Sequence, residues 1–330
     1  MKGFDTKFSD FPAYILGVTH EIWEGRNIAA LHKYYAPDIV VRAPGSVVRG
    51  NKDVIAATMA TLAEFPDRQL LGEDVIWCEA RQGGMLSSHR ILSTATHTGN
   101  GVYGKATGKV LKYRILADCH AIDNMIDDEW LIRDQGAIVR QLGISPRRYA
   151  AQSIKAEAAN PVPPLTPRTD SKGPYNENGN TNEWGQKYAD ILQRIMAADL
   201  TTIPKEYDRA VHCACPGGQD AHGHSGADGF WLGLRASFPS ATFTIHHQIG
   251  RADARMPPRA ALRWSLWGKH DGWGAFGRPS GAEVYVLGLS HAEFGPWGLR
   301  REFTLFDETA IWKQILLHSG DHSAPQKASL

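Results

Sequence analysis

Residues 129–143 read EWLIRDQGAIVRQLG and residues 302–316 read EFTLFDETAIWKQIL. Set one above the other, Glu129 falls on Glu302 and Asp134 on Asp307. The same offset of 173 residues carries outward without a gap, placing His97 on His270, Gly104 and Gly108 on Gly277 and Gly281, and Phe65-Pro66 on Phe238-Pro239. A register shared over that length marks one fold unit made twice. Each functional residue can therefore be judged by whether its counterpart survives.

Within the first unit, apolar residues Ile15, Val18, Ile22, Ile28, Leu31 and Tyr35 recur at helical spacing and predict a helix over 12–35. Residues 38–42 read as a short strand ended by Ala43-Pro44-Gly45. Residues 51–64 read as a second helix, capped by Asn51 and stopped by Phe65-Pro66. Four β-rich stretches follow at 70–79, 85–97, 110–122 and 125–133, separated by Gly83-Gly84, a glycine-rich crossing at 99–108, and Asp123-Asn124. Helices first and antiparallel strands afterwards predict an α+β unit, a strongly curved sheet wrapped over helices with one open, concave end. Two such units in tandem are expected: 1–151, a proline-rich extended linker at 152–183, 184–317, and a frayed tail at 318–330.

Period-two alternation assigns faces on the last two strands. Asp118 and His120 share one face with Ile122, and Trp130 and Asp134 share one with Ile132. If both faces line the concave side, two carboxylates and an imidazole converge on a Trp-walled cavity. The matching positions of the second unit hold His291 and Glu293, then Phe303, Leu305 and Asp307, so acid and imidazole have exchanged places. A wet cavity explains that exchange more easily than an apolar core does. A competing reading makes Asp134 and Asp307 helix caps, since QGAIVRQ and ETAIWKQ follow them directly. His97 and His270, before Thr-Gly and Asp-Gly, have a turn-closing role as their alternative.

The stretch from Glu129 to Gly143 resembles the closing signature of the SnoaL-like polyketide cyclases of the nuclear transport factor 2-like superfamily, which end in a Trp, an Asp four residues on, and Gln-Leu-Gly. Gly104-Lys-Ala-Thr-Gly108 and Gly277-Arg-Pro-Ser-Gly281 are similar to that family's Pro-Pro-Thr-Gly segment, although neither keeps both prolines. The resemblance implies tandem cone-shaped α+β barrels, of a kind often paired into dimers. It also implies cofactor-free and metal-free general acid/base chemistry on small, frequently cyclic substrates. The family's proton-transfer Asp carries over to Asp134 and to Asp307. The second unit departs from the pattern at Phe303 and Ile315-Leu316. The superfamily's ketosteroid isomerases would place their base where Ala43 stands here, beside Arg42, so that constellation is not present.

Charge and composition narrow the alternatives. With a formal charge of +1 and 22% charged residues, the chain offers no field suited to a nucleic-acid backbone or an anionic membrane. Four cysteines are too few and too scattered for a disulfide framework, and no signal or membrane segment is legible, so a cytoplasmic location is expected. The cluster His212, Cys213, Cys215, His222 and His224 has ligand types suited to zinc but matches no common zinc spacing. No phosphate loop or Gly-x-Ser-x-Gly elbow is present.

These observations point to a cyclase, lyase or isomerase acting on a small carbonyl-containing or cyclic molecule, with its main site in the first unit. Asp134 is the expected acid or base, and His120 with Asp118 a supporting pair. Arg90, His97 or Arg42 would meet the developing enolate, with Trp130 and Trp23 as cavity walls. Asp307, His270, His291 and Glu293 are the second-unit candidates. The rival is a small-molecule-binding protein using a Trp-rich pocket of the second unit that includes Trp264 and Trp273. No cofactor is expected, and the two units would form a pseudo-dimer within one chain, itself open to homodimerisation.

Overall fold

A computed structural model describes residues 1–321. Its first half runs α1 (Phe11–Thr19), α2 (Leu31–Tyr34), β1 (Tyr35–Ala43), β2 (Ser46–Arg49), α3 (Asn51–Glu64), β3 (Gln69–Glu79), β4 (Met85–Thr96), β5 (Val110–Ile122), β6 (Met125–Arg133), α4 (Gln135–Leu142) and α5 (Pro146–Ala156). The second half runs α6 (Glu183–Met196), α7 (Thr202–Glu206), β7 (Tyr207–Cys215), β8 (Gln219–His222), α8 (Gly223–Ser237), β9 (Thr242–Arg251), β10 (Arg259–Lys269), β11 (Glu283–Gly295), β12 (Gly298–Phe306) and α9 (Glu308–Ser319). The sheets have identical topology, β2-β1-β6-β5-β4-β3 and β8-β7-β12-β11-β10-β9. Each is mixed: four strands form an antiparallel meander, and the first strand docks parallel to the last.

The doubled α+β architecture expected from the sequence is present, with local corrections. The predicted 12–35 helix is broken. After Thr19 the turn widens over residues 20–24, and Arg26 takes a left-handed conformation (φ 57°) that sends its guanidinium to the carbonyls of Pro66 and Arg68 at 2.6 and 3.1 Å. Asn51 does not cap α3. Gly50 precedes the helix at φ 83°, a conformation suited to glycine, and the Asn51 amide donates to Leu31 O and Tyr35 O at 2.6 and 2.8 Å. The two halves also do not superimpose without a gap. The turn between β7 and β8 has one more residue than that between β1 and β2, so β1 falls on β7 at an offset of 172.

The sheets pack back to back through the faces away from their helices. Leu116 and Ile132 meet Leu287, Leu289 and Leu305 there, and Ile76 and Leu86 meet Ile249 and Ala261. The segment 157–182 is extended but not a free tether. Leu165 and Tyr175 insert into these two clusters and are buried. Burial of both sheet faces explains why β4 and β5 are covered over most of their length instead of alternating between core and water. Of the expected tail, residues 318–319 continue α9 and residues 322–330 lie outside the described residues.

Candidate functional site

The alternation read from the sequence is real, but its sign is reversed. On β5 and β6 the residues facing the helices are Ile115 and Ala117, then Glu129, Leu131 and Arg133, whereas Asp118, Trp130 and Ile132 face the opposite sheet. Asp118 Oδ2 lies 3.1 Å from Arg263 Nη1. His120 Nδ1 sits 2.6 Å from Asp127 Oδ1, with its ring stacked on Tyr175 at 5.1 Å between centroids. Trp130 is sandwiched by the guanidiniums of Arg42 and Arg263 at 4.3 and 3.5 Å. Arg42 bonds Asp128 and Asp170, Arg90 bonds Glu293 at 3.0 Å, and His291 Nε2 meets Ser88 Oγ at 2.8 Å. The polar exchange between the repeats therefore reflects a buried, paired inter-sheet network and not a wet cavity.

Asp134 is likewise turned away from the hollow of its own repeat. Its carboxylate caps α4 through Ala137 N at 2.9 Å and accepts Gly217 N and Gly218 N, at 2.8 and 3.0 Å, from the β7–β8 turn of the other repeat. Burial still pushes it up to about 6 against those bonds. His97 is fully buried between Glu64 Oε1 (3.2 Å) and Thr107 Oγ1 (3.1 Å), pinning the glycine-rich loop. His270 meets Ser280 Oγ at 3.0 Å in the same way.

The hollow of the first repeat is a cavity of about 330 Å³ between the curved sheet, α3 and the residues after α1. Trp23 is part of its wall. Its titratable lining includes four groups the sequence reading passed over, Glu129, His89, Arg68 and Arg133, and Asp307, a second-unit candidate, reaches in from the other repeat. Glu129 accepts no hydrogen bond from the described residues, and burial, reinforced by the Asp128 carboxylate, raises it to about 7. Burial lowers the His89 imidazole to about 4, so it is neutral at pH 7. Ser87 Oγ lies 3.3 Å from its Nδ1. When that hydroxyl donates, the ring proton sits on Nε2.

Asp307 shows how asymmetry between the repeats shapes the site. It caps α9, with Thr309 N, Thr309 Oγ1 and Ala310 N all bonded to Oδ1. The Pro44-Gly45 turn that lines the same hollow is one residue shorter than the Pro216-Gly217-Gly218 turn that serves Asp134, and no backbone N–H of it reaches Asp307 among the described residues. Its Oδ2 is thus left without the backbone donors that Asp134 enjoys, and burial raises the carboxyl to about 6.

In the second repeat the equivalent space is filled. Thr58 and Ile91 are replaced by Trp231 and Trp264, both fully buried with ring centroids 6.1 Å apart. Gly288 stands for Ile115, and a Cβ there would lie 2.1 Å from the Trp264 indole. Glu302, the counterpart of Glu129, is committed to Tyr188 Oη (2.7 Å), Tyr207 Oη (3.0 Å) and Trp231 Nε1 (3.1 Å). Trp264 is core and Trp273 is 69% exposed, so the two do not form the expected pocket wall.

The His/Cys cluster is split by the alternation of β7. Cys213 and Cys215 are buried, Cys213 against Glu302, while His212 pairs with Asp220 and stacks on His222, and His224 reaches Tyr207 O. Among the described residues no three His, Cys, Asp or Glu side chains converge to hold a metal. The four cysteines are unpaired, and no helix of the described residues is long and apolar enough to cross a membrane.

Residues 13–142 match the family model described as SnoaL-like polyketide cyclase. No curated protein matches the chain. Similar solved structures include IdmH from Streptomyces antibioticus (22% identity, 40% of this chain and 98% of that one, TM-score 0.36). TsrD from Streptomyces laurentii is another (18%, 41% and 98%, TM-score 0.35). A SnoaL-like polyketide cyclase from Agrobacterium tumefaciens is a third (16%, 40% and 97%, TM-score 0.32). Residues 13–142 are thus similar to the SnoaL-like polyketide cyclases, and a second unit of the same topology follows in the same chain.

Proposed function

We propose that the first repeat is a cofactor-independent proton-transfer enzyme of the cyclase, lyase or isomerase kind, and that Glu129, not Asp134, is its general base. The observation that carries this reading is a carboxyl with no hydrogen-bond partner among the described residues, raised to about 7, on the wall of a cavity of about 330 Å³. A base poised near the working pH balances availability against driving force when it takes a proton next to a carbonyl. Neutral His89 supplies an N–H toward the hollow for the enolate oxygen that then develops. Asp307, raised to about 6, is a second carboxyl for returning the proton. The second repeat acts as scaffold, since Trp231 and Trp264 occupy its hollow and four donors hold its glutamate.

The test is α-hydrogen exchange of an aryl 1,3-diketone in deuterated buffer, followed by NMR above the buffer-catalysed background. Glu129→Gln should abolish the enzyme-dependent exchange, and Asp134→Asn, which alters the α4 cap and an inter-repeat tie outside the hollow, should retain it. Retention by Glu129→Gln, or loss in a folded Asp134→Asn protein, would overturn the assignment.

A further inference from the structure

Two guanidiniums on the cavity wall have no acid to pair with. Arg68, only 1% exposed, precedes β3, and Arg133 ends β6. Neither has a carboxylate within ion-pair distance among the described residues, although most buried arginines of this protein do. Arg68 donates from Nε to Ser93 Oγ at 3.4 Å and has the Tyr113 phenol as a second, uncharged partner, while its Nη1 is buried without one. Arg133 has only the Tyr103 phenol as a side-chain partner, and its Nε is likewise buried and unpaired. Each guanidinium carries five N–H donors in a fixed fork.

Their surroundings hold them in place. The Arg68 guanidinium lies 4.6 Å over the Trp23 ring. Burial lowers Arg68 to about 10, which leaves it charged at neutral pH. Burial pulls the nearby Tyr113 phenol up, but the two guanidiniums outweigh it and leave it below its ordinary value. Two guanidiniums with buried, unpaired donors and no carboxylate beside them are costly unless an anion completes them. The second repeat, whose hollow is filled, has Ala241, Phe306 and Val286 at the positions of Arg68, Arg133 and Tyr113. The charges accompany the open cavity.

We propose that Arg68 and Arg133 form the binding site for a carboxylate carried by the substrate, distant from the carbon at which proton transfer occurs. Glu129 and Arg133 lie on one face of β6 four residues apart, about 13 Å along the strand. The ligand is thus an elongated, mostly apolar carbonyl compound with an acid group at the far end. A planar carboxylate matches the guanidinium fork in a way that an ester or amide does not. This specificity rests on the proton-transfer reading for the identity of the reacting end, but not for the anion site itself.

Titration calorimetry with 2-naphthoate, and with its neutral methyl ester, reads the site alone because neither probe has an α-hydrogen to exchange. Wild type should bind the acid at least tenfold more tightly than the ester. Arg68→Met and Arg133→Met should each weaken the acid at least tenfold and leave the ester within twofold. Thr58→Trp, which copies the plug of the second repeat, should abolish binding of both and so locate them in the hollow. Equal affinity for acid and ester, no binding of the acid at millimolar concentration, or unaltered acid binding in both Met variants would overturn the proposal. If naphthoate binds as expected while Glu129→Gln still exchanges α-hydrogens, the proton-transfer reading fails and the anion site stands. The opposite pair of results removes the anion site and leaves Glu129.

Discussion

Replacing Glu129 by glutamine keeps the shape of the side chain and removes its capacity to ionise, so its effect on stability measures how dry the carboxyl is. Burial holds the folded-state value at about 7 against an ordinary 4.5. At about 1.4 kcal/mol per pH unit, that displacement is worth roughly 3 kcal/mol. Because the folded value is raised, the folded state is favoured when the group is protonated. The penalty is absent below pH 4.5, develops between 4.5 and about 7, and is constant above. Glutamine carries no such penalty. Glu129→Gln should therefore match wild type at pH 4 and exceed it at pH 8 by about 3 kcal/mol, a gain in stability obtained at the expense of function. For 330 residues, an unfolding entropy of about 2.1 cal/mol/K per residue converts this into a melting temperature about 4 °C higher. The assay is thermal unfolding followed by far-ultraviolet circular dichroism at pH 4, 6 and 8. Parallel curves for the two proteins across that range would refute the argument, since they would mean a hydrated carboxylate with an ordinary proton affinity.

The homologous change in the second repeat should have the opposite sign. Glu302→Gln sets an amide against the Trp231 indole N–H and the Cys213 thiol, costing about 1–3 kcal/mol at pH 7 by chemical denaturation. Exchange catalysed by wild type should rise with pH to a plateau above about 7, because a base must be ionised to act and Glu129 is half-ionised there. His89, already neutral above about 4, adds no limb to that profile in the neutral range. Asp118→Ala should destabilise by about 3–5 kcal/mol by stranding Arg263 between the sheets, and the double variant with Arg263→Met should recover most of that loss.

Much of the fold was legible because its signals are local. The α3 boundaries and the four strands of the meander follow from apolar patterning and from turns such as Gly83-Gly84 and Asp123-Asn124, within one or two residues. The break after Thr19 was hidden because its cause, the anchoring of Arg26 on Pro66 and Arg68, is tertiary. The two faces of β5 and β6 were read with the wrong sign for one reason. Alternation separates two faces but does not say which is concave, and here the convex face is also buried and polar, through pairs such as Asp118 with Arg263 and Ser88 with His291. A usable signal was present: the Glu129 face gains Arg133 and His89 in the first repeat, where the second has Phe306 and Leu262. Asp307 as a visitor from the other repeat had no sequence signature beyond Pro44 standing in the shorter turn.

The most direct test of a half-ionised glutamate on the wall of the first hollow is a carbon-13 NMR titration of glutamate side-chain carboxyls, comparing wild type with Glu129→Gln to assign the resonance. The account predicts that the signal lost in the variant titrates with a midpoint near 7 and shifts when a neutral ligand displaces water from the cavity. A midpoint near 4.5, indifferent to ligand, would contradict it.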